Sequence, residues 1–190
     1  MKLSILICTL KGRDEYLNRV LQVLEPQKTD DVEILIESDE RQMTIGQKRN
    51  KLLDRATGDY ICYVDDDDLV SVDYIEKILK SIETNPDCVG IQGIITVDGL
   101  NPKKFKHSID YNGWYEENEI YYRTPNHWNP VKREIASLVK FDPEKSFGED
   151  KCYSDRLRVH LNSEVRIDEA IYYFLFRNVQ KEYFQERNDT

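Results

Sequence analysis

Tyr60-Ile61-Cys62-Tyr63-Val64-Asp65-Asp66-Asp67-Asp68 is the stretch on which the reading of this chain turns. Its first five residues are apolar and rich in strand formers, and four carboxylates follow at the carboxyl end. Adjacent carboxylates repel one another unless a cation or water relieves them, so a hard divalent ion is a reasonable guest. A solvated turn is the plainer alternative. In an extended backbone Asp65 and Asp67 project to one side, which selects them as a working pair and leaves Asp66 and Asp68 to shape the turn.

Outward from that stretch, apolar runs at residues 3–8 and 32–36 also read as strands, and segments of helical period separate the three. The helical faces carry Tyr16, Leu17, Val20, Leu21 and Leu24, then Leu52, Leu53 and Ala56, then Tyr74, Ile75, Ile78, Leu79 and Ile82. Ser71 is the expected N-cap of the third helix, with Asp73 in its first turn. This alternation predicts an α/β chain with a mostly parallel sheet flanked by helices. A further strand is expected at 88–97, with Gly90 and Gly93 marking a bend or bulge. Residues 98–106, with Gly99, Asn101 and Pro102, form the longest loop-like stretch. They divide a single domain, 1–190, into two functional halves, 1–100 and 101–190. In the second half, 111–115 and 120–123 read as strands around a turn at 116–118. Asn129-Pro130 reads as N-cap and first residue of a helix running to about Leu138. A helix over 150–161 and an extended run over 165–176 complete the pattern.

The chain has 190 residues, of which 39% are hydrophobic, enough for one core. The apolar run 3–8 is far shorter than the roughly 20 residues of a membrane span and lacks a signal-peptide cleavage site, so a soluble, cytoplasmic chain is expected. Cys8, Cys62, Cys88 and Cys152 show neither zinc spacing nor a disulfide framework, and buried reduced thiols are expected. The net charge of −9 discourages a nucleic-acid partner. Between Asp59 and Asp98 ten carboxylates meet only Lys77 and Lys80, which accounts for most of that charge. From Asn101 onward 15 basic residues balance 16 acidic ones, and Lys103, Lys104, Lys106 and His107 form a basic cluster.

Ligands of open parallel sheets bind beyond the carboxyl ends of the strands. Thr9 with Lys11 and Arg13, Glu37 with Asp39, and the aspartate run all fall there. Several segments together resemble family 2 glycosyltransferases of the GT-A fold. They are Ser4-Ile5-Leu6-Ile7-Cys8-Thr9 with Arg13 and Leu17, Glu33-Ile34-Leu35-Ile36-Glu37, Gly46-Gln47-Lys48-Arg49-Asn50, and Ala56-Thr57-Gly58-Asp59 leading into the opening stretch. In the second half Phe147-Gly148-Glu149-Asp150 resembles the family's Glu-Asp motif.

The resemblance implies a Rossmann-like domain with a smaller mixed acceptor-side portion, and an inverting, non-processive transfer from a nucleotide-diphosphate sugar to a hydroxyl acceptor. Thr9, Arg13, Glu37, Asp39, Lys48, Asp65 and Asp66 would bind the donor, Glu37 in the place of a base-binding acid. Asp67 would hold Mn2+ or Mg2+, and Asp150 would take the proton of the acceptor hydroxyl. Without the resemblance, Asp150 reads first as a helix cap. Glu149 and Trp128 are the acceptor-binding candidates. His127 could complete the metal site or bond the acceptor, although a lone histidine is more often structural. Where the family commonly has Asp-Asp-Gly-Ser after its second strand, this chain has Glu37-Ser38-Asp39-Glu40, so a uridine donor is less secure than a nucleotide sugar. The expected acceptor is a saccharide. A nucleobase in DNA, a catalytically inactive nucleotide-sugar binder and a nucleotidyltransferase are the weaker alternatives. Non-processivity rests on the lack of a Gln-X-X-Arg-Trp segment and of membrane helices, and on the polar tail from Lys181.

Overall fold

A computed structural model describes residues 1–177; the polar tail from Lys181 lies outside the described residues. The strands are β1 (Leu3–Leu10), β2 (Val32–Asp39), β3 (Tyr60–Tyr63), β4 (Leu69–Val70), β5 (Cys88–Val97), β6 (Leu100–His107), β7 (Tyr115–Glu117), β8 (Ile120–Arg123), β9 (Val131–Lys132) and β10 (Glu164–Phe176). The helices are α1 (Asp14–Leu24), α2 (Ile45–Arg55), α3 (Tyr74–Ile82), α4 (Arg133–Val139) and α5 (Glu149–Arg158). One sheet runs in the order β2-β1-β3-β9-β5-β6-β8-β7, and β10 pairs with β4 and β5. Its longest ladders, β1 with β2 and β5 with β10, are parallel, whereas β9 and β6 insert antiparallel.

Successive residues of a strand face opposite sides, and β1 is apolar on both. Leu3, Ile5 and Ile7 pack with Val20 and Leu24 of α1 and with Tyr74, Ile75 and Ile78 of α3. Leu6 and Cys8 pack instead with Leu52 and Leu53 of α2, Ile135 and Ala136 of α4, and Tyr153 and Leu157 of α5. The sheet is therefore covered on both faces, as a parallel sheet with continuous apolar strands requires.

Five expectations are corrected. Residues 98–106 are not a loop. Asp98 and Gly99 hold φ of +52° and +76°, the backbone of a two-residue hairpin turn matched to strand twist, and β6 returns directly along β5. The next hairpin turns at Asn118 and Glu119, with φ of +50° and +61°, and of residues 111–115 only Tyr115 is in a strand. Asn129-Pro130 does not open a helix, because Val131 and Lys132 first fill the gap between β3 and β5. Ser71 does not cap α3: its hydroxyl donates to Asp73 at 2.6 Å, and Asp73 is the residue before the helix. Of the cysteines, Cys8, Cys62 and Cys88 are buried free thiols, but Cys152 is half-buried on α5.

Candidate active site

The carboxyl end of β1, the turn that follows β3, the first turns of α2 and α5, and strands β5, β8 and β10 line a cleft of about 810 Å³, within the usual range for a small-molecule site. The chain leaves β3 into a turn closed by the Asp68 N–H donating to the Asp65 carbonyl at 3.1 Å. That turn alternates the carboxylates, Asp65 and Asp67 half-buried and Asp66 and Asp68 buried. The expected pairing is present, produced by a turn instead of an extended backbone.

Each of the four acids has its own surroundings. Asp65 Oδ2 accepts from Trp128 Nε1 at 3.0 Å and lies 3.2 Å from His127 Nε2, while Oδ1 accepts from Arg49 at 3.2 Å. Burial by itself would raise its pKa, but His127, Arg49 and the Trp128 N–H outweigh that and hold the carboxyl well below the ordinary range. Asp66 accepts a bidentate pair from Arg13 at 2.7 and 2.8 Å and the Thr9 hydroxyl at 2.6 Å. Arg13 also reaches Asp67 at 3.0 Å. Burial and the adjoining Asp65 charge raise the pKa of Asp67. Asp68 is fully buried and receives the Tyr172 hydroxyl at 2.9 Å and the Leu175 N–H at 3.0 Å, so it anchors β10 beneath the site.

Helix α2 joins the two halves. Thr44 and Gln47 form a capping box, and three consecutive residues then reach in different directions. Lys48 Nζ donates to the Thr9 carbonyl at 2.9 Å and to Asp39 at 2.8 Å. Arg49 bridges Asp65 and Glu149, the latter at 2.8 Å. Asn50 exchanges two hydrogen bonds with the backbone of Phe141. Arg49 is the residue not singled out beforehand. Its signal was its place in Lys48-Arg49-Asn50, and its buried guanidinium is what couples the aspartate turn to the Glu-Asp segment.

The cleft gathers Thr9, Arg13, Lys48, Asp65, Asp66, Asp67, His127, Trp128, Glu149 and Asp150. Glu37 and Asp39 are not in its wall. Glu37 is held against α2 by Lys51 at 2.6 Å and Arg55 at 2.9 Å, and Asp39 supports Lys48 from behind. Trp128 is 3% exposed and stacks on His107 and Tyr172, with 6° and 24° between ring planes, so its faces are taken and its indole N–H orients Asp65. Asp150 stands in the first turn of α5, its Oδ1 accepting the Lys151 N–H at 2.7 Å. Burial pushes the Cys8 thiol up to about 12, which removes it as a nucleophile. The basic cluster is split by strand alternation: Lys103 pairs with Glu116, and Lys104 and Lys106 point to the opposite face.

Among the described residues no three His, Cys, Asp or Glu side chains converge on one point. Asp65 and Asp67 side by side nevertheless fit a hard cation that takes its remaining ligands from phosphate oxygens and water. His127 fits less well, since Nε2 is spent on Asp65 and Nδ1 is buried without a partner.

No helix among the described residues is long and apolar enough to cross a membrane. The sequence profile described as glycosyl transferase family 2 matches residues 15–144. A glucosyl-dolichyl phosphate glucuronosyltransferase of Haloferax volcanii is 27% identical over 98 residues, 52% of this chain and 30% of that protein. Staphylococcus aureus TarS, residues 1–349, superposes with a TM-score of 0.72 at 16% identity, covering 92% of this chain and 60% of that one. The same protein in complex with UDP-GlcNAc superposes with a TM-score of 0.70 at 18% identity, covering 93% and 59%. The chain thus spans about a third of the curated relative and about three-fifths of the solved structures.

Proposed function

Since the chain belongs to glycosyl transferase family 2, with the mixed α/β architecture of the GT-A fold, we propose that it transfers a sugar from a nucleoside diphosphate, UDP in the first instance, to a hydroxyl acceptor with inversion. The observation that carries this reading is the meeting of Asp65, Asp67 and Asp150 in one cleft, with Arg49 tying the aspartate turn to the segment before Asp150. Asp150 takes the proton of the acceptor hydroxyl while the acceptor oxygen bonds to the anomeric carbon. The bond from that carbon to the phosphate oxygen breaks, and the diphosphate leaves with the electron pair. Positioning base and leaving group on opposite sides of the sugar is what inversion requires. Arg13 and Lys48 bring positive charge to the donor side, and Glu149 holds Arg49 so that Asp65 stays ionised. A Mn2+ or Mg2+ ion at Asp65 and Asp67 would supply neutralisation of charge on the diphosphate. The acceptor is a saccharide released after one transfer. In this reading residues 1–100 carry the donor site and the rest the acceptor and base, all of it cytoplasmic.

The test is product mass after incubation with manganese, a set of nucleotide sugars beginning with UDP-GlcNAc, and simple saccharides. Asp67→Ala and Asp150→Asn should each lower turnover at least a hundredfold, Asp150→Asn with donor affinity unchanged. Full turnover in both variants would overturn the assignment.

A further inference from the structure

One arginine in the cleft has no role in the transfer just described. Arg123 ends β8 and lies in the wall beside Asp150. Its guanidinium carbon is 4.4 Å from the centre of the Trp114 ring and 5.9 Å from that of Trp128. Among the described residues no carboxylate reaches it as an ion pair, whereas Arg13 is held by Asp66 and Asp67 and Arg49 by Asp65 and Glu149. Burial lowers its pKa, and Asp150 acts the other way from beyond contact. A guanidinium nevertheless remains charged at any physiological pH. Arg123 is half-buried; a cation partly withdrawn from water without an anion is costly, and stacking on indole offsets that cost only in part. A ligand anion removes that cost, and the planar fork suits a phosphate or carboxylate by two parallel hydrogen bonds.

Two anions could come here, the diphosphate of the donor or a group on the acceptor. Position separates them. The donor-side cations Arg13 and Lys48 contact the aspartate turn and the end of β1. Arg123 stands with Trp114, Asp150 and Lys151 around the start of α5, and Lys151 is already occupied by Asp155 at 2.7 Å. We propose that Arg123 selects an acceptor bearing a phosphate or carboxylate close to the hydroxyl that Asp150 deprotonates. This rests on the glycosyl-transfer reading and narrows its acceptor to an anionic one.

Calorimetry on the whole chain tests it with glycerol 3-phosphate, glucose 6-phosphate and glucuronate against glycerol and glucose. Each is titrated with and without saturating UDP and manganese, into the wild type, Arg123→Gln and Arg123→Lys. At least one charged probe should bind tenfold or more tighter than its neutral counterpart. Arg123→Gln should erase that preference, Arg123→Lys should retain part of it, and UDP affinity should stay within twofold throughout. Circular dichroism and thermal unfolding establish that Arg123→Gln is folded. Equal binding of charged and neutral probes by the wild type overturns the proposal. So does a tenfold loss of UDP affinity in Arg123→Gln, which would assign the residue to the donor. Failure of the wild type to bind UDP or any other nucleotide counts against glycosyl transfer, while the titrations without nucleotide still read Arg123.

Discussion

Four identical side chains in a row become four different groups once folded. Asp65 is an ionised hub, Asp66 a clamp for Arg13, Asp67 a carboxylate under repulsion in the cleft, and Asp68 a buried anchor. Arg49 has the largest energetic consequence among their partners, because its side chain is 4% exposed and serves two carboxylates. Arg49→Met should destabilise the chain by about 3–5 kcal/mol, the cost of leaving buried acids without their cation. Adding Glu149→Gln should recover part of that loss. Urea unfolding of the single and double variants measures both, and additive losses would show that Arg49 and Glu149 do not act as a pair. The importance of Arg49 could not be read from its type, since a Lys-Arg-Asn run on a helix is ordinarily a solvated face.

The elements explain why that run is not solvated. Helix α2 is pinned at its start because Gly46 lies against the backbone of Asp142, with no room for a Cβ, and its N–H donates to the Lys145 carbonyl at 3.1 Å. Gly46→Ala should therefore push residues 142–145 outward, lowering the melting temperature and weakening catalysis through the displaced Glu149-Asp150 segment. Thermal unfolding and the transfer assay read the two effects. A variant with wild-type values in both would show that the segment yields freely. At the other end of the helix, Glu33 of β2 ties β1 to the turn before β3, accepting from the Ser4 hydroxyl at 2.6 Å and from the Thr57 N–H and hydroxyl at 2.6 and 2.9 Å. Partial burial raises its pKa, and these hydrogen bonds outweigh that and leave it lowered. The unfolded chain then binds the proton more readily, so the stabilisation is present above the ordinary glutamate range and disappears as pH falls through the folded value. Glu33→Gln should cost at most about 1 kcal/mol near pH 7, since solvent screens a half-exposed carboxylate, and progressively less as pH falls below the ordinary glutamate range, as followed by denaturant unfolding at each pH. Hairpin turns were the elements misread. Asp98-Gly99 is a strong two-residue turn signal, yet Asn101 and Pro102 beyond it look like loop, and the strand they begin exists only because β5 lies beside it.

At the scale of the molecule the cleft belongs to neither half, since its walls come from β1, the aspartate turn after β3, β5, β8 and β10 and from the starts of α2 and α5. A ligand that spans them should stabilise the fold as a whole. Saturation with UDP and manganese at about a hundred times the dissociation constant should add about 2.7 kcal/mol, seen as a rise in melting temperature that disappears in Asp67→Ala. A rise of equal size in that variant would place the nucleotide elsewhere. Much of this architecture was legible without coordinates. Strands at 3–8, 32–36, 60–64 and 88–97 and the helices between them follow from apolar periodicity, because burial on both faces of a parallel sheet leaves a local record in the chain. The aspartate pair and Asp150 were likewise named from strand-end position and motif. Glu37 was placed in the site and lies behind it, Trp128 was read as an acceptor contact and is enclosed, and Arg49 and Arg123 were passed over. Those outcomes depend on which charges and rings meet across up to 100 residues of chain, as Arg49 meets Glu149. Local periodicity reports whether a side chain is buried, but its partner is chosen by packing, so periodicity and motif determined the strands, the helices and the candidate acids, and only the tertiary structure decided what each of those acids touches.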